Sequence, residues 1–160
     1  MRALIIDDEE YVRLVLEQAL RDEGCEVATA KSGKIGIDLL QSNTFDFVIT
    51  DLRMPGIDGK AVLQWVKEHQ AEVDVVMLTG HGDVKDAVDA MKHGAWDFLI
   101  KDTPFDATTV KSALAKLRTM RALRKENLAA RHGGFTRDVI VEGASPAWRQ
   151  LGIQSTKRRQ

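Results

Sequence analysis

The sequence predicts an α/β domain in which five parallel strands form one doubly wound sheet, followed by an extended C-terminal helix. Five short, mostly apolar runs alternate with five amphipathic segments over about the first 125 residues. Because parallel strands need long crossover connections, usually helices, this alternation is typical of a parallel sheet with helices on both faces. Right-handed crossovers then favour a doubly wound topology.

The strands are predicted from runs of three or four residues. These runs are residues 3–6, 27–30, 47–50, 75–78 and 98–100. Four of them end directly before polar side chains: Asp7 and Asp8, Asp51, Thr79, and Lys101. The carboxyl ends of parallel strands meet at one edge of a sheet, where open α/β sheets bind ligands. We therefore expect these five side chains to lie close together.

The first four helices are predicted from their apolar spacing and their end signals. The first spans residues 10–24, with apolar side chains on one helix face and Gly24 as its stop. The second runs to about Ser42. The starts of helices two to four are signalled by Ser32, by Asp58-Gly59 and by Gly82-Asp83, respectively.

The fifth helix has the clearest start and the greatest length. Thr103 can cap it, Pro104 stands at the first helical position, and Asp106 falls at the capping-box position. Residues 106–131 contain neither glycine nor proline. We predict one unbroken helix that ends at His132-Gly133-Gly134.

A shift in charge divides the chain near Pro104. Residues 1–104 hold 11 Lys and Arg against 20 Asp and Glu, a net charge of −9, whereas residues 105–160 hold 12 against 4, a net of +8. We predict a domain over residues 1–120, a helical linker over 121–137 and a third segment over 138–160. The apolar repeat of the fifth helix fades after Leu123, so the linker is either a solvated helix or a dimerising coiled coil.

Composition argues against a membrane or secreted protein. No apolar run approaches the roughly 18 residues of a membrane span, and the N-terminus becomes acidic at Asp7, too early for a secretory signal. Cys25 is the only cysteine and cannot form an internal disulfide, which fits the reducing cytoplasm.

The polar side chains at the strand ends predict a site for a hard cation and a phosphoryl group. Asp51 is the candidate nucleophile, since a carboxylate can accept a phosphoryl group as an acyl phosphate. Mg²⁺ prefers oxygen ligands and would offset the repulsion among clustered carboxylates and phosphate. Asp8 is the candidate direct ligand, with Asp7 nearby or bridged by water. Lys101 would pair with one phosphoryl oxygen, and Thr79 would donate a hydrogen bond to another.

Together these residues resemble the receiver domain of two-component response regulators, over about residues 2–120. The resemblance is carried by the paired acids after the first strand, the segment Asp-Leu-Arg-Met-Pro-Gly-Ile-Asp-Gly at residues 51–59, Thr79 and Lys101. It implies a flavodoxin-like sheet with the strand order 2-1-3-4-5. It also implies that Asp51 receives its phosphoryl group from a phosphohistidine on a sensor histidine kinase.

The same resemblance adds two further site residues. It implies that the backbone carbonyl of Arg53 completes the protein ligands of Mg²⁺. It also implies a switch, in which the phosphoryl group draws the Thr79 hydroxyl towards it and Phe98 turns inward. The competing interpretation of Phe98 is a permanently buried strand residue.

One departure from the receiver pattern concerns the lysine. Receivers usually follow it directly with proline and phenylalanine, but here Asp102 and Thr103 stand between Lys101 and Pro104. A cis Lys-Pro bond is therefore impossible, and Asp102 could compete for the Lys101 amine.

The remaining motifs resemble the nitrogen-regulator (NtrC-like) branch, whose members activate transcription with an alternative sigma factor. Residues 79–83, Thr-Gly-His-Gly-Asp, resemble this branch, and residues 139–148 resemble the opening of its ATPase module. No Gly-x-x-x-x-Gly-Lys-Ser/Thr phosphate loop occurs in the chain. We expect residues 138–160 to be the truncated start of that module or a disordered tail.

This organisation carries several expectations about partners. The chain would be a phosphoacceptor rather than an enzyme, and its downstream ATPase and DNA-binding modules would be absent. We expect a homodimer through the extension of the fifth helix, a cytoplasmic location, and no direct contact with nucleic acid or membrane.

Two other functions are compatible with the same fold class. A magnesium-dependent hydrolase also uses an aspartate nucleophile, but it needs a second aspartate two residues later, where this chain has Arg53. A flavin-binding electron carrier needs a phosphate-cradling loop after the first strand, where Asp7 and Asp8 would repel the FMN phosphate.

Overall fold

The computed structural model describes the backbone of residues 1–101 and 107–133, together with their side chains except at 81 and 129–133. The strands are β1 Arg2–Ile6, β2 Glu26–Ala30, β3 Phe47–Asp51, β4 Asp74–Thr79 and β5 Asp97–Ile100. The helices are α1 Glu10–Asp22, α2 Gly33–Ser42, α3 Gly59–His69, α4 Val84–Lys92 and α5 Thr108–Gly133. The predicted alternation of strands and helices is confirmed.

The five strands form one parallel sheet in the order β2-β1-β3-β4-β5, so the predicted doubly wound, flavodoxin-like topology is confirmed. The register pairs Ile6 with Thr50, Asp51 with Leu78, and Thr79 with Ile100. The last residues of β1, β3, β4 and β5 therefore lie side by side. This register places Asp51 and Thr79, which end their strands, and Asp7 and Lys101, which follow theirs, at one edge of the sheet.

The sheet is buried at its centre, which explains the continuous apolar runs. Every residue of β3 and β4 is buried, as expected for parallel strands covered on both faces. The hydrophobic core includes Leu4, Ile6, Val48, Val62, Leu63, Val66, Val75 and Met77. The apolar stripe of α3 supplies three of these side chains, at positions 62, 63 and 66.

The predicted ends of the first three helices are present. The Ser32 hydroxyl accepts a hydrogen bond from the Ile35 N–H at 3.2 Å, and the Asp58 carboxylate accepts one from the Ala61 N–H at 2.9 Å. Gly24 ends α1 with a φ of 88°, a left-handed conformation that favours glycine. These caps fix where α2 and α3 begin on either side of β3.

Helix α4 begins directly after the predicted start signal at Gly82-Asp83. Residues His81–Asp83 form a short 3-10 turn, and α4 follows from Val84. Asp83 makes no side-chain capping hydrogen bond to this helix. Its carboxylate accepts a hydrogen bond from the Arg53 side chain instead.

The long fifth helix is present, with small differences at its ends. It runs without interruption from Thr108 to Gly133, whereas residues 106–131 were predicted and a break was expected at His132. The predicted cap at Thr103 and the first helical position at Pro104 lie outside the described residues.

The chain divides into two compact units, Met1–Leu114 and Ala115–Gln160. The first contains the sheet, helices α1 to α4 and the first turns of α5. In the second, the described part is the remainder of α5, on which Leu123 and Leu128 are exposed. The predicted segment 138–160 lies outside the described residues, and the boundaries at 120 and 137 stay predictions. Among the described helices, none is both long and apolar enough to cross a lipid bilayer.

Candidate functional site

Three carboxylates from two adjacent strands form an acidic cluster at the carboxyl edge of the sheet. Oxygen atoms of Asp7, Asp8 and Asp51 all lie within 4.8 Å of one another. Asp7 and Asp51 are buried, whereas Asp8 is exposed. The chain folds this way because the Asp7 N–H extends the sheet, donating to the Ala30 carbonyl at 3.1 Å. The turn into α1 then presents Asp8 beside it.

The Lys101 amine lies at the centre of this edge. Its Nζ atom is 3.2 Å from Asp7 Oδ2, 3.2 Å from Asp51 Oδ2 and 2.9 Å from Glu9 Oε1. The Lys101 N–H donates to the Thr79 carbonyl at 2.8 Å, which extends the pairing of β5 with β4 and fixes the lysine backbone. Lys101 therefore joins the acidic cluster even though proline does not follow it.

Glu9 is a member of this site that the sequence did not single out. Glu9 follows Asp7 and Asp8 directly, in an acidic run over residues 7–10. The position of this run at the end of a strand gave a role to the two aspartates but not to Glu9. The contact between Glu9 and Lys101 joins residues 92 positions apart. The signal in the sequence was the length of the acidic run itself.

Burial and nearby charges perturb the ionisation of the two buried acids. Burial, and then the charge of Asp7, raise the pKa of Asp51 to about 6, against an opposing effect of the Lys101 ammonium. Burial also raises the pKa of Asp7, although the Glu9 N–H and Lys101 counteract it. For Lys101, burial opposes the charged form, but Glu9, Asp7 and Asp51 together raise the pKa of the amine. The site thus holds excess negative charge at neutral pH.

The other two candidate residues lie on the strands next to the cluster. Thr79 is buried at the end of β4, adjacent to β3, and its hydroxyl donates a hydrogen bond to the Gly80 carbonyl at 3.1 Å. Phe98 pairs with Met77 across β4 and β5, is half-buried, and packs against the hydrophobic core. The Phe98 ring is thus neither fully buried nor fully exposed.

The backbone and the side chain of Arg53 make contacts with different parts of the molecule. Its backbone N–H donates a hydrogen bond to Asp51. Its exposed guanidinium points towards α4, where it binds Asp83 at 2.7 Å and Asp86 at 2.5 Å. Lys60 on α3 adds contacts to Asp86 at 3.5 Å and Asp89 at 3.4 Å. This ion-pair network, which the sequence analysis missed, links the loop after β3 to the start of α4.

A close approach of the backbone explains one glycine in the site. A Cβ atom at Gly59 would collide with the backbone carbonyl of Asp51. Only glycine allows the first turn of α3 to pack this closely on the end of β3. The motif that ends in Asp58-Gly59 therefore shapes the loop that carries Arg53.

The donor set of the acidic cluster fits a hard divalent cation. All three side chains offer carboxylate oxygens, the ligands that Mg²⁺ prefers, and one of them is open to solvent. A buried carboxylate such as Asp51, whose pKa is raised by burial and by the charge of Asp7, gains most from a nearby cation, because the positive charge offsets that repulsion. Asp7, Asp8 and Asp51 are thus the described residues best suited to hold a metal ion.

Comparison with known proteins places this fold and site in a family. The profile of the response regulator receiver domain matches residues 3–115. The C4-dicarboxylate transport transcriptional regulatory protein DctD of Pseudomonas aeruginosa is 42% identical over 137 residues, which make up 82% of this chain and 29% of that protein. The DNA-binding transcriptional regulator NtrC of Escherichia coli K12 is 34% identical over 151 residues, 92% of this chain and 30% of that protein.

A solved structure agrees with these relatives. The crystal structure of NtrX from Brucella abortus superposes with a TM-score of 0.76 and 31% identity, over 81% of this chain and 29% of that chain. This chain therefore spans about 30% of the length of the full regulators that it matches. The predicted resemblance is confirmed: the chain is similar to part of the regulators NtrC and DctD, and it belongs to the response regulator receiver domain family.

Proposed function

We propose that this protein is a receiver that accepts a phosphoryl group on Asp51 from a sensor histidine kinase, with Mg²⁺ as cofactor, and thereby controls a transcription-activating module. One observation carries the proposal: a buried Asp51 carboxylate lies 3.2 Å from the Lys101 amine, inside an acidic cluster that fits a cation. Receiver domains generally bind Mg²⁺ at such an acidic pocket. A buried carboxylate beside an amine and a cation site is suited to accept a phosphoryl group as an acyl phosphate.

Each residue of the site has a separate role in the proposed phosphoryl transfer. An Asp51 oxygen attacks the phosphorus atom, the bond from phosphorus to the kinase histidine nitrogen breaks, and an acyl phosphate forms. With its pKa raised to about 6, Asp51 is mostly ionised at neutral pH and needs no general base. Lys101 pairs with one phosphoryl oxygen, and Thr79 donates a hydrogen bond to another. Mg²⁺, when held by Asp7, Asp8, Asp51 and the Arg53 carbonyl, supplies positive charge that balances the incoming phosphoryl oxygens.

A mass measurement tests the proposed function on the intact chain. Incubation with acetyl phosphate and Mg²⁺ is expected to add one phosphoryl group, which hydroxylamine should remove because it cleaves acyl phosphates. A hydrolase would instead release phosphate without a lasting adduct, and a flavin carrier would bind FMN and remain unlabelled. Either of these results would reject the receiver function.

The first prediction concerns the metal. Asp8→Ala is expected to weaken Mg²⁺ binding by at least about tenfold, because it removes the exposed carboxylate of the acidic cluster. The fold should survive, since the change also removes crowded negative charge. Glu10→Ala is the matched control, because it removes an exposed acid in the first turn of α1, the helix that begins two residues after Asp8. Equal Mg²⁺ affinities of Asp8→Ala and wild type in a titration followed by NMR would reject Asp8 as a ligand.

The second prediction concerns the switch, which we assign to Thr79 and Phe98. Thr79→Ala should still accept the phosphoryl group, but the chemical-shift changes across residues 83–93 should shrink, because the hydroxyl that draws the end of β4 to the phosphate is missing. Thr79→Ser keeps the hydroxyl and should restore the response. If the alanine variant showed the wild-type shifts on phosphorylation, the switch would not run through this residue.

We also propose a cellular location, a phosphoryl donor and output modules for this protein. We place the protein in the cytoplasm, with a sensor histidine kinase as its phosphoryl donor. The matched relatives are described as transcriptional regulators, so we assign the output to downstream ATPase and DNA-binding modules. We expect no direct contact between this chain and membrane or nucleic acid.

The third prediction concerns a homodimer, which we assign to the extension of α5. We also propose that residues 121–137, which include this extension, form the linker. The helix is unbroken to Gly133, and Leu123 and Leu128 are 49% and 52% exposed along it. Such side chains can be buried between two copies. The basic residues of this stretch oppose pairing by like-charge repulsion, which salt screens; they are Lys116, Arg118, Arg121, Arg124 and Lys125.

A weak dimer that tightens as ionic strength rises is therefore expected in sedimentation equilibrium. Truncation at Lys116 should abolish it, and Leu123→Ser should weaken it. Leu14→Ser, which changes an equally exposed leucine on α1, should leave it unchanged. A full-length monomer at high protein and salt concentrations would favour the solvated linker.

A further inference from the structure

We infer that Glu9 is a positioning residue for phosphoryl transfer, whose carboxylate holds the Lys101 amine in the orientation that serves Asp51. The inference rests on the proposed function and names one more residue in the same site. The Lys101 amine makes three contacts with carboxylates. The shortest of them, 2.9 Å, is made to Glu9 and not to either buried aspartate.

The three carboxylates around the lysine match its hydrogen-bonding capacity. An ammonium group has three N–H donors, and Nζ of Lys101 has one carboxylate oxygen from each of Asp7, Asp51 and Glu9 within 3.2 Å. Two of these acids are buried in the site. The Glu9 side chain stands at the rim and is 60% exposed, while that of Lys101 is only 16% exposed. Glu9 therefore holds the amine from the solvent side.

The helix start shows that the Glu9 side chain does not act as a cap. Glu9 occupies the N-cap position of α1 but makes no side-chain capping hydrogen bond, whereas Ser32 and Asp58 cap α2 and α3. A capping residue contributes about 1 kcal/mol to helix stability. Here the side chain reaches across to Lys101 instead. The Glu9 N–H donates to Asp7 Oδ1 at 2.8 Å, which ties the rim residue to the acidic cluster.

This arrangement has a consequence for transfer. When Asp51 becomes an acyl phosphate, one donor of Lys101 passes from the Asp51 oxygen to a phosphoryl oxygen. Asp7 and Glu9 keep the other two donors, so the amine does not have to reorient. A lysine side chain has several rotatable bonds, and without Glu9 its amine has one fewer fixed contact to hold it at the phosphoryl group.

Glu9 also has an opposing effect, which makes the role separable by mutation. Its negative charge repels the incoming phosphoryl group, so that removing only the charge should not slow transfer. Glu9→Gln keeps an acceptor oxygen for Lys101 and removes the charge, whereas Glu9→Ala removes both. Positioning therefore predicts a slow alanine variant and a glutamine variant close to wild type.

The test measures phosphorylation of the full chain against acetyl phosphate concentration at saturating Mg²⁺. The maximal rate of Glu9→Ala is expected to fall about fivefold, the upper end for an exposed ion pair, with the half-saturating concentration unchanged. Glu9→Gln should stay within about twofold of wild type. Glu10→Ala removes the neighbouring exposed acid and serves as the control for charge.

A second measurement needs neither metal nor phosphoryl donor. An immobilised lysine ammonium gives a ¹⁵N NMR signal, and the signal of Lys101 is identified by its loss in Lys101→Met. It should be present in the wild type, Glu9→Gln and Glu10→Ala, and broadened beyond detection in Glu9→Ala. Circular dichroism of Glu9→Ala should match wild type, because no capping bond is lost.

The outcomes separate this inference from the proposed function. If the wild type takes up no phosphoryl group, the receiver function itself fails. If the wild type is labelled normally, and Glu9→Ala matches it in rate and keeps the lysine signal, only the positioning role of Glu9 is rejected. Equal acceleration of Glu9→Ala and Glu9→Gln would assign Glu9 a purely electrostatic effect and would also overturn the inference.

Discussion

Replacing Asp51 with asparagine is expected to abolish phosphorylation of this chain. The amide has nearly the same shape as the carboxylate, but its oxygen is a poor nucleophile and cannot form the acyl phosphate. Asp51 is buried at the end of β3, beside Lys101 and the other two acids of the cluster, so no other described carboxylate has the same set of neighbours. Intact mass after incubation with acetyl phosphate and Mg²⁺ measures the effect.

A buried aspartate at the opposite end of the sheet provides the control. Asp74 begins β4, away from the carboxyl edge, and is nearly as buried as Asp51. Asp74→Asn should be labelled like the wild type, which shows that the loss in Asp51→Asn is not a general effect of removing a buried charge. Wild-type labelling of Asp51→Asn would reject Asp51 as the acceptor, and peptide mapping would then show whether Asp7 or Asp8 takes its place.

Much of the fold could be predicted because it depends on local patterns. The apolar runs located all five strands to within one or two residues. The signal is strongest for β3 and β4, which are buried throughout, because fully buried parallel strands leave little room for polar side chains. The caps at Ser32 and Asp58 also depend only on neighbouring backbone groups. The doubly wound topology then followed from crossover handedness, and the strand order followed from the receiver resemblance.

The parts of the site that escaped prediction depend on contacts between distant residues. Glu9 meets Lys101 across 92 positions, and Arg53 meets Asp83 across 30. No periodicity in the sequence encodes either pair. The second pair also engages the Asp83 carboxylate, which makes no side-chain capping bond to α4. Local rules thus locate the strand ends, whereas the assembled fold decides which long side chains meet between them.

The ionisation of Asp51 predicts a second large effect, on stability. A carboxyl whose pKa is raised on folding binds its proton more tightly in the folded state than in the unfolded one. The stabilisation from protonated Asp51 is therefore fully present below about pH 4, and is lost as pH rises through about 6. A shift from 3.8 to about 6 corresponds to a cost of about 3 kcal/mol at neutral pH in the absence of metal.

Asp51→Asn is thus expected to raise the free energy of unfolding by up to about 3 kcal/mol at pH 8 in EDTA, and by progressively less as pH falls towards 4. Urea denaturation across this pH range measures the difference. Mg²⁺ should narrow the gap by stabilising the wild type more than the variant, because the cation offsets the same repulsion that the substitution removes. If the increase in the free energy of unfolding did not depend on pH or on Mg²⁺, Asp51→Asn would act through packing. The charge of Asp51 would then not be the cause of the lower stability of the wild type without metal.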